Sequence, residues 1–175
     1  QLAKYSSLVV SERLKYIDTL SEFSKEIYAG ISENKEEISI SYSRKEIDNI
    51  NISVNDLFNL ELQKLKGARK DDILMKSTSV GPHRDDIEIL INGVSARSFG
   101  SQGQQRSCAL ALKLGESEII KKMTGETPVA LLDDVMSELD EKRQDYVLNH
   151  INDRQVFLTC CDPSQVLRLC GGKSF

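Results

Sequence analysis

The sequence predicts an α/β fold, a partly parallel sheet flanked by helices, joined to a mainly helical arm. Three observations carry this. From Ile87 onward, short apolar runs alternate with helical patterns, the signature of strands crossing over through helices. The first 70 residues hold two helical patterns with one alternating strand between them. Hydrophobic residues make up 39% of the 175 residues, enough for a real core, and charged residues make up 29%, enough to solvate its surface.

The elements follow in order. Leu2 to Ala29 reads as one long helix, with Leu2, Tyr5, Val9, Tyr16, Leu20, Phe23 and Ile27 in steps of three and four and Arg13 in the missing slot. Gly30 suits its C-cap, and so narrow a stripe suits one partner helix, as in a coiled-coil arm. Glu37 to Ser43 alternates Ile38, Ile40 and Tyr42 with serines, a strand with one wet face. Val54 to Lys66 forms a second helix, with Leu57, Leu60 or Glu61, and Leu65 on one side, ending near Gly67. The basic group Lys64, Lys66, Arg69 and Lys70 that follows reads as a solvated helix end complementing the dipole, with phosphate contact as the alternative. The domain boundary is placed near Lys70–Thr78, giving an arm over 1–71 and a head over 72–175.

In the head, Ile87, Ile89 and Ile91 alternate before Asn92-Gly93, a strong hairpin signal. Ser101 to Lys122 is a helix, with Ser101 and Gln104 spaced as a capping box. Val129 to Leu132 is an apolar strand of the buried parallel kind, Asp140 to Ile151 a helix, and Val156 to Thr159 another apolar strand. Asp162-Pro163 opens a last helix that ends at Gly171.

Several classes are excluded. No apolar run approaches ~18 residues, so no membrane span is expected. No signal peptide is visible at Gln1 to Val10, and without an initiator Met the chain reads as cut from a longer parent. Cys108, Cys160, Cys161 and Cys170 form no C-x-x-C pair, and His83 and His150 stand far apart, so free thiols of a reducing cytoplasm are expected rather than zinc. A net charge of -4 supplies no bulk field for nucleic acid, so any DNA contact must come from local patches or from elsewhere in the parent.

Chemistry concentrates in Val129-Ala-Leu-Leu-Asp-Asp134. Two carboxylates at the C-terminal end of a buried strand stand where ligands of open α/β sheets bind. The first can hold Mg²⁺ on a nucleotide, and the second can orient or deprotonate an attacking water. Ser137-Glu-Leu-Asp140 follows at once, and Phe99-Gly-Ser-Gln-Gly-Gln-Gln-Arg106 opens a helix whose first N–H groups suit an anion. Gly81-Pro-His-Arg-Asp-Asp86 is a poor kinase loop, because Leu90 stands where Asn is needed, and one His with adjacent acids specifies no metal site. Gly171-Gly-Lys-Ser174 is a poor phosphate loop, because Leu167 stands where the first Gly is needed.

The ordered set GPHRDD, SQGQQR, LLDD, SELD and QVFLT resembles the RecF family of bacterial recombination proteins, in the SMC-like branch of ABC-type ATPases. The resemblance is specific over Asp72 to Phe175 and looser over the arm. It implies the C-terminal lobe of an ABC/SMC-like P-loop ATPase head, with the phosphate loop in a preceding segment. It implies that Asp133 binds magnesium and that Asp134, where many ABC proteins carry Glu, is the catalytic acid. Ser101, Gly103 and Gln104 match the signature that closes on ATP held by the other subunit, although Gln102 replaces a usual glycine. Ser137 and Asp140 match the D-loop, and Thr159 and Cys160 fall where the switch histidine lies. Arg84 and Arg106 are candidates for a phosphate or an ion pair. The resemblance further implies an ATP-dependent homodimer, Mg²⁺, DNA at gaps or strand junctions, recombinase loading with RecR and RecO, and a cytoplasmic place in bacteria. Two other readings stay open: a metal-dependent phosphohydrolase or nuclease built from Asp85, Asp86, Asp133 and Asp134, and a non-catalytic partner-binding module.

Overall fold

The structure is a computed structural model, and it describes residues 1–44, 47, 51–136, 139–150 and 154–159. The expected last helix, the Gly171–Ser174 segment, Ser137, Cys160, Cys161 and Cys170 lie outside those residues. The chain packs as two compact units: Gln1–Thr19 with Ile40–Glu88, and Leu20–Ser39 with Ile89–Phe175.

Helix α1, Leu2–Ile31, contributes to both units. Its buried seam is Ala3, Ser7, Val10, Leu14, Ile17, Ser21, Ser24, Tyr28 and Ile31, spaced four and three in strict alternation. Ser6, Ser11, Leu20 and Ile27 are buried beside it, so the predicted stripe is met at Leu20 and Ile27 in the second half of the helix, while the first half buries different residues. Leu2, Tyr5, Val9 and Tyr16 are instead 41 to 63% exposed. Gly30 is not a cap, because the helix runs through it to Ile31. The ring of Tyr146 occupies the space an added Cβ would need, so glycine is there for close approach.

Strand β1, Ile38–Tyr42, buries Ile38 and Ile40 and turns the serines outward, as expected. Helix α2, Val54–Met75, starts at the Ser53 cap and passes Gly67 for eight further residues, ending where Lys76 adopts a left-handed φ of 51°. An interior glycine costs only about 1 kcal/mol, and Ala68, Arg69 and Lys70 are good helix formers, so the helix continues. Val10, Leu14 and Leu57 form the core of the first unit, with Tyr42, Ile47 and Ile52 packed on it.

Strands β2, Ile87–Ile91, and β3, Val94–Ser95, pair antiparallel, and the sheet order is β1-β2-β3. Asn92 at φ 50° and Gly93 at φ 81° make the two-residue turn. A short helix α3, Ala96–Phe99, not anticipated from the sequence, leads into α4, Gln102–Thr124. The capping box at Ser101 forms as predicted, and Gly125 closes the helix at φ 76°. Gly115 on α4 meets α1 at Ser24, whose Oγ would stand 2.6 Å from an added Cβ. Strands β4, Ala130–Asp133, and β5, Val156–Thr159, pair in parallel, with Asp133 opposite Thr159. Helix α5, Glu141–His150, lies between them in sequence. Leu132 is buried, but Leu131 is 75% and Phe157 55% exposed, so the described residues leave one face of this pair uncovered. No described helix is long and apolar enough to cross a membrane.

Cys108 is a buried free thiol on α4, and burial pushes its pKa up to about 11. It is therefore expected to resist Ellman's reagent at pH 8 in the folded chain and to react within seconds once unfolded. Fast reaction in the native state would show that this helix face opens readily.

Candidate functional site: an acid pair and a capped helix

Parallel pairing brings the C-terminal ends of β4 and β5 together, and this places the chemistry. Thr159 Oγ1 donates a hydrogen bond to Asp133 Oδ1 and accepts one from the Asp134 N–H at 3.0 Å. Asp133 and Asp134 are both exposed at the strand end. Asp134 has φ 51°, a left-handed conformation that Asp and Asn reach more readily than Glu does. Arg106 joins both acids in lining a cavity of about 480 Å³ between α4 and β4, floored by Leu110, Leu114 and Leu132.

The start of α4 is held just as tightly. Ser101 Oγ accepts from the Gln104 N–H at 3.3 Å, and Gln104 Oε1 accepts from the Ser101 N–H at 2.8 Å. The remaining end of Gln104 donates from Nε2 to Glu36 Oε1 at 2.7 Å, while Tyr28 donates to Glu36 Oε2 at 2.7 Å. Partial burial opposes ionisation of Glu36, but these two donors more than offset it and its pKa falls below the usual range. The Gln104 side chain is thus committed within the chain. Ser101 remains exposed at the helix end, beside the backbone N–H groups of Gln102 and Gly103.

Arg143, which carried no motif in the sequence, ties this helix to the segment after β4. It pairs through Nε with Asp140 Oδ2 at 3.2 Å and donates from Nη1 to Ser107 Oγ at 2.9 Å. An added Cβ at Gly103 would lie 3.2 Å from the same Nη1, so a small residue there gives the guanidinium room. Asp140 also caps α5, accepting from the Arg143 N–H at 3.0 Å. The only signal in sequence was the Asp-x-x-Arg spacing, which is common on exposed helices.

The Gly81–Asp86 segment lies in the first unit and has a structural explanation. Gly81 adopts φ 139°, open to glycine, and a short 3-10 turn over Pro82–Arg84 follows. Asp85 turns inward and accepts from Tyr42 and from Arg44 Nε, the latter at 2.7 Å. Arg44 also pairs with Glu61, and all three charged side chains are at most 9% exposed. Burial pushes the Tyr42 phenol up to about 12, aided by its bond to Asp85. His83 Nε2 stands 3.0 Å from the Thr78 carbonyl oxygen. Arg84 is exposed and contributes a minor share to holding Asp72 below the ordinary carboxylate range, where the bonds from Ser79 dominate. Among the described residues no three His, Cys, Asp or Glu side chains gather as a metal-holding group.

A parallel strand pair whose first strand ends in two adjacent acids defines an α/β chain with its carboxylates at the C-terminal strand end. No protein-family model matches the chain. It is 48% identical over 160 residues to the DNA replication and repair protein RecF of Clostridium acetobutylicum, a match covering 91% of this chain and 43% of that protein. Against RecF of Clostridium novyi it is 49% identical over 161 residues, with the same coverage. Its fold matches the recombination mediator protein RecF with ATPrS in the RecFOR pathway at a TM-score of 0.79 and 38% identity, over 94% of this chain and 44% of that one. The RecF–ATP structure matches at 0.79 and 37% identity. In sequence and in fold the chain corresponds to the C-terminal portion of the RecF proteins, and it spans under half the length of the relatives it matches.

Proposed function

We propose that this chain supplies part of a composite ATP site to a RecF-type DNA-repair protein. The acid pair held at the end of β4 by Thr159 is the observation that supports this reading most strongly. Asp133 keeps Oδ2 for Mg²⁺, which is commonly held by one or two carboxylates together with phosphates and water. Asp134 orients or deprotonates the attacking water. Mg²⁺, when bound, supplies charge neutralisation at the phosphates.

Ser101, with the first N–H groups of α4, reaches the γ-phosphate of ATP bound to a second subunit in an ATP-dependent homodimer. Gly103 gives Arg143 its room, and Gln104 acts mainly by fixing the helix start. Ser137 and Asp140 form the D-loop, and Arg106 is the better placed of the two candidate arginines for a phosphate. The full protein binds DNA at gaps, works with RecR and RecO to load recombinase, and acts in the bacterial cytoplasm.

A direct test compares the 175-residue chain with a full-length RecF protein carrying it. These 175 residues contain no G-x-x-x-x-G-K-[ST] segment, so the chain alone should show no magnesium-dependent ATP hydrolysis and the full-length protein should show it. Turnover by the chain alone, or none by the full-length protein, contradicts the proposal.

A further inference from the structure

We propose that Thr159 is a positioning residue for the acid pair, an inference that rests on the nucleotide reading above. The parallel register sets Asp133 directly opposite Thr159 at the last step of the β4–β5 ladder. There the Thr159 hydroxyl does two jobs. As a donor it fixes Asp133 Oδ1, which sets the direction of Oδ2, the oxygen that would meet a cation. As an acceptor it holds the Asp134 N–H at 3.0 Å, pinning a peptide whose φ of 51° lies in a region that non-glycine residues seldom occupy.

Both acids are therefore tied to one side chain on the neighbouring strand, Asp133 through its carboxylate and Asp134 through its backbone N–H. The hydroxyl is used within the chain, so Thr159 acts through Asp133 and Asp134 rather than by touching a phosphate. The geometry also bears on the residue at 134. A left-handed backbone suits the short Asp, and a hydroxyl accepting its N–H helps to hold that conformation in place.

The test compares Thr159→Val, which keeps the β-branched shape but loses the hydroxyl, with Thr159→Ser, which keeps the hydroxyl. In the full-length protein Thr159→Val should lower kcat for ATP hydrolysis by about 100-fold, the scale of a misplaced reacting group. It should raise the Mg²⁺ concentration needed for half-maximal rate and leave KM for ATP within a few-fold of wild type. Thr159→Ser should restore most of the rate. In the 175-residue chain, hydrogen exchange at the Asp134 amide should speed up about tenfold or more in Thr159→Val and stay slow in Thr159→Ser, the scale expected from losing one hydrogen bond of about 1.4 kcal/mol.

Unchanged kcat and Mg²⁺ dependence in Thr159→Val overturns the positioning role. Equal losses in the Val and Ser variants also overturn it, because they would reduce Thr159 to a strand contact. A wild-type full-length protein without magnesium-dependent turnover overturns the nucleotide reading and with it the role of Thr159 in the reaction. An unchanged exchange rate at Asp134 overturns the tether alone.

Discussion

Glu61→Ala is expected to destabilise the first unit by about 3 kcal/mol, because it removes one of two carboxylates from a buried guanidinium. Arg44 is 4% exposed at its side chain and Glu61 is not exposed at all. Burial works against the charge on Arg44, but its bonds to Asp85 and Glu61 outweigh that and raise its pKa further. Arg44 therefore stays charged, and truncation leaves a positive charge indoors with only Asp85 to meet it. Urea denaturation of wild type and Glu61→Ala measures the difference. A change under about 1 kcal/mol, the range of surface ion pairs, would show that water reaches Arg44. Glu61→Gln should fall between the two, since it keeps the shape and loses the charge.

Asp134→Asn in the full-length protein should lower turnover by about 10² to 10⁴-fold, the usual contribution of a general base, while leaving ATP bound. Asn tolerates the left-handed backbone at φ 51°, so the loss is chemical and not conformational. Bound ATP should then persist and favour the dimer. Single-turnover quench experiments and light scattering with ATP check both halves. A monomeric variant that binds no ATP contradicts the role given to Asp134. Asp134→Glu should lose activity too, for a different reason: the longer side chain sits less easily on that backbone.

Much of this site was legible because its signals are local. A capping box needs only Ser101 and Gln104 three residues apart, and the turn at Asn92-Gly93 needs only two residues that accept positive φ. Apolar runs at 129–132 and 156–159 announced a parallel pair, and β5 begins and ends where expected. The α1 seam was harder, because Ser7, Ser21 and Ser24 occupy seam positions and an apolar count passes over them. Gly30 and Gly67 look like helix stops in sequence. One instead makes room for a tyrosine ring, and the other is simply tolerated. Asp85, Arg44 and Glu61 meet across separations of 17 and 41 residues, and Arg143 reaches Ser107 across 36. No local pattern encodes such pairings. They arise only when strands and helices pack.

Asp133 and Asp134, in the function proposed, form the acidic half of an ATP site. Titrating Mg²⁺ at saturating ATP, in the full-length protein and in its Asp133→Asn variant, tests this most directly. Hydrolysis should rise with Mg²⁺ in the wild type and stay near background in Asp133→Asn at every concentration, with ATP still bound. Wild-type turnover and wild-type Mg²⁺ dependence in Asp133→Asn would contradict it.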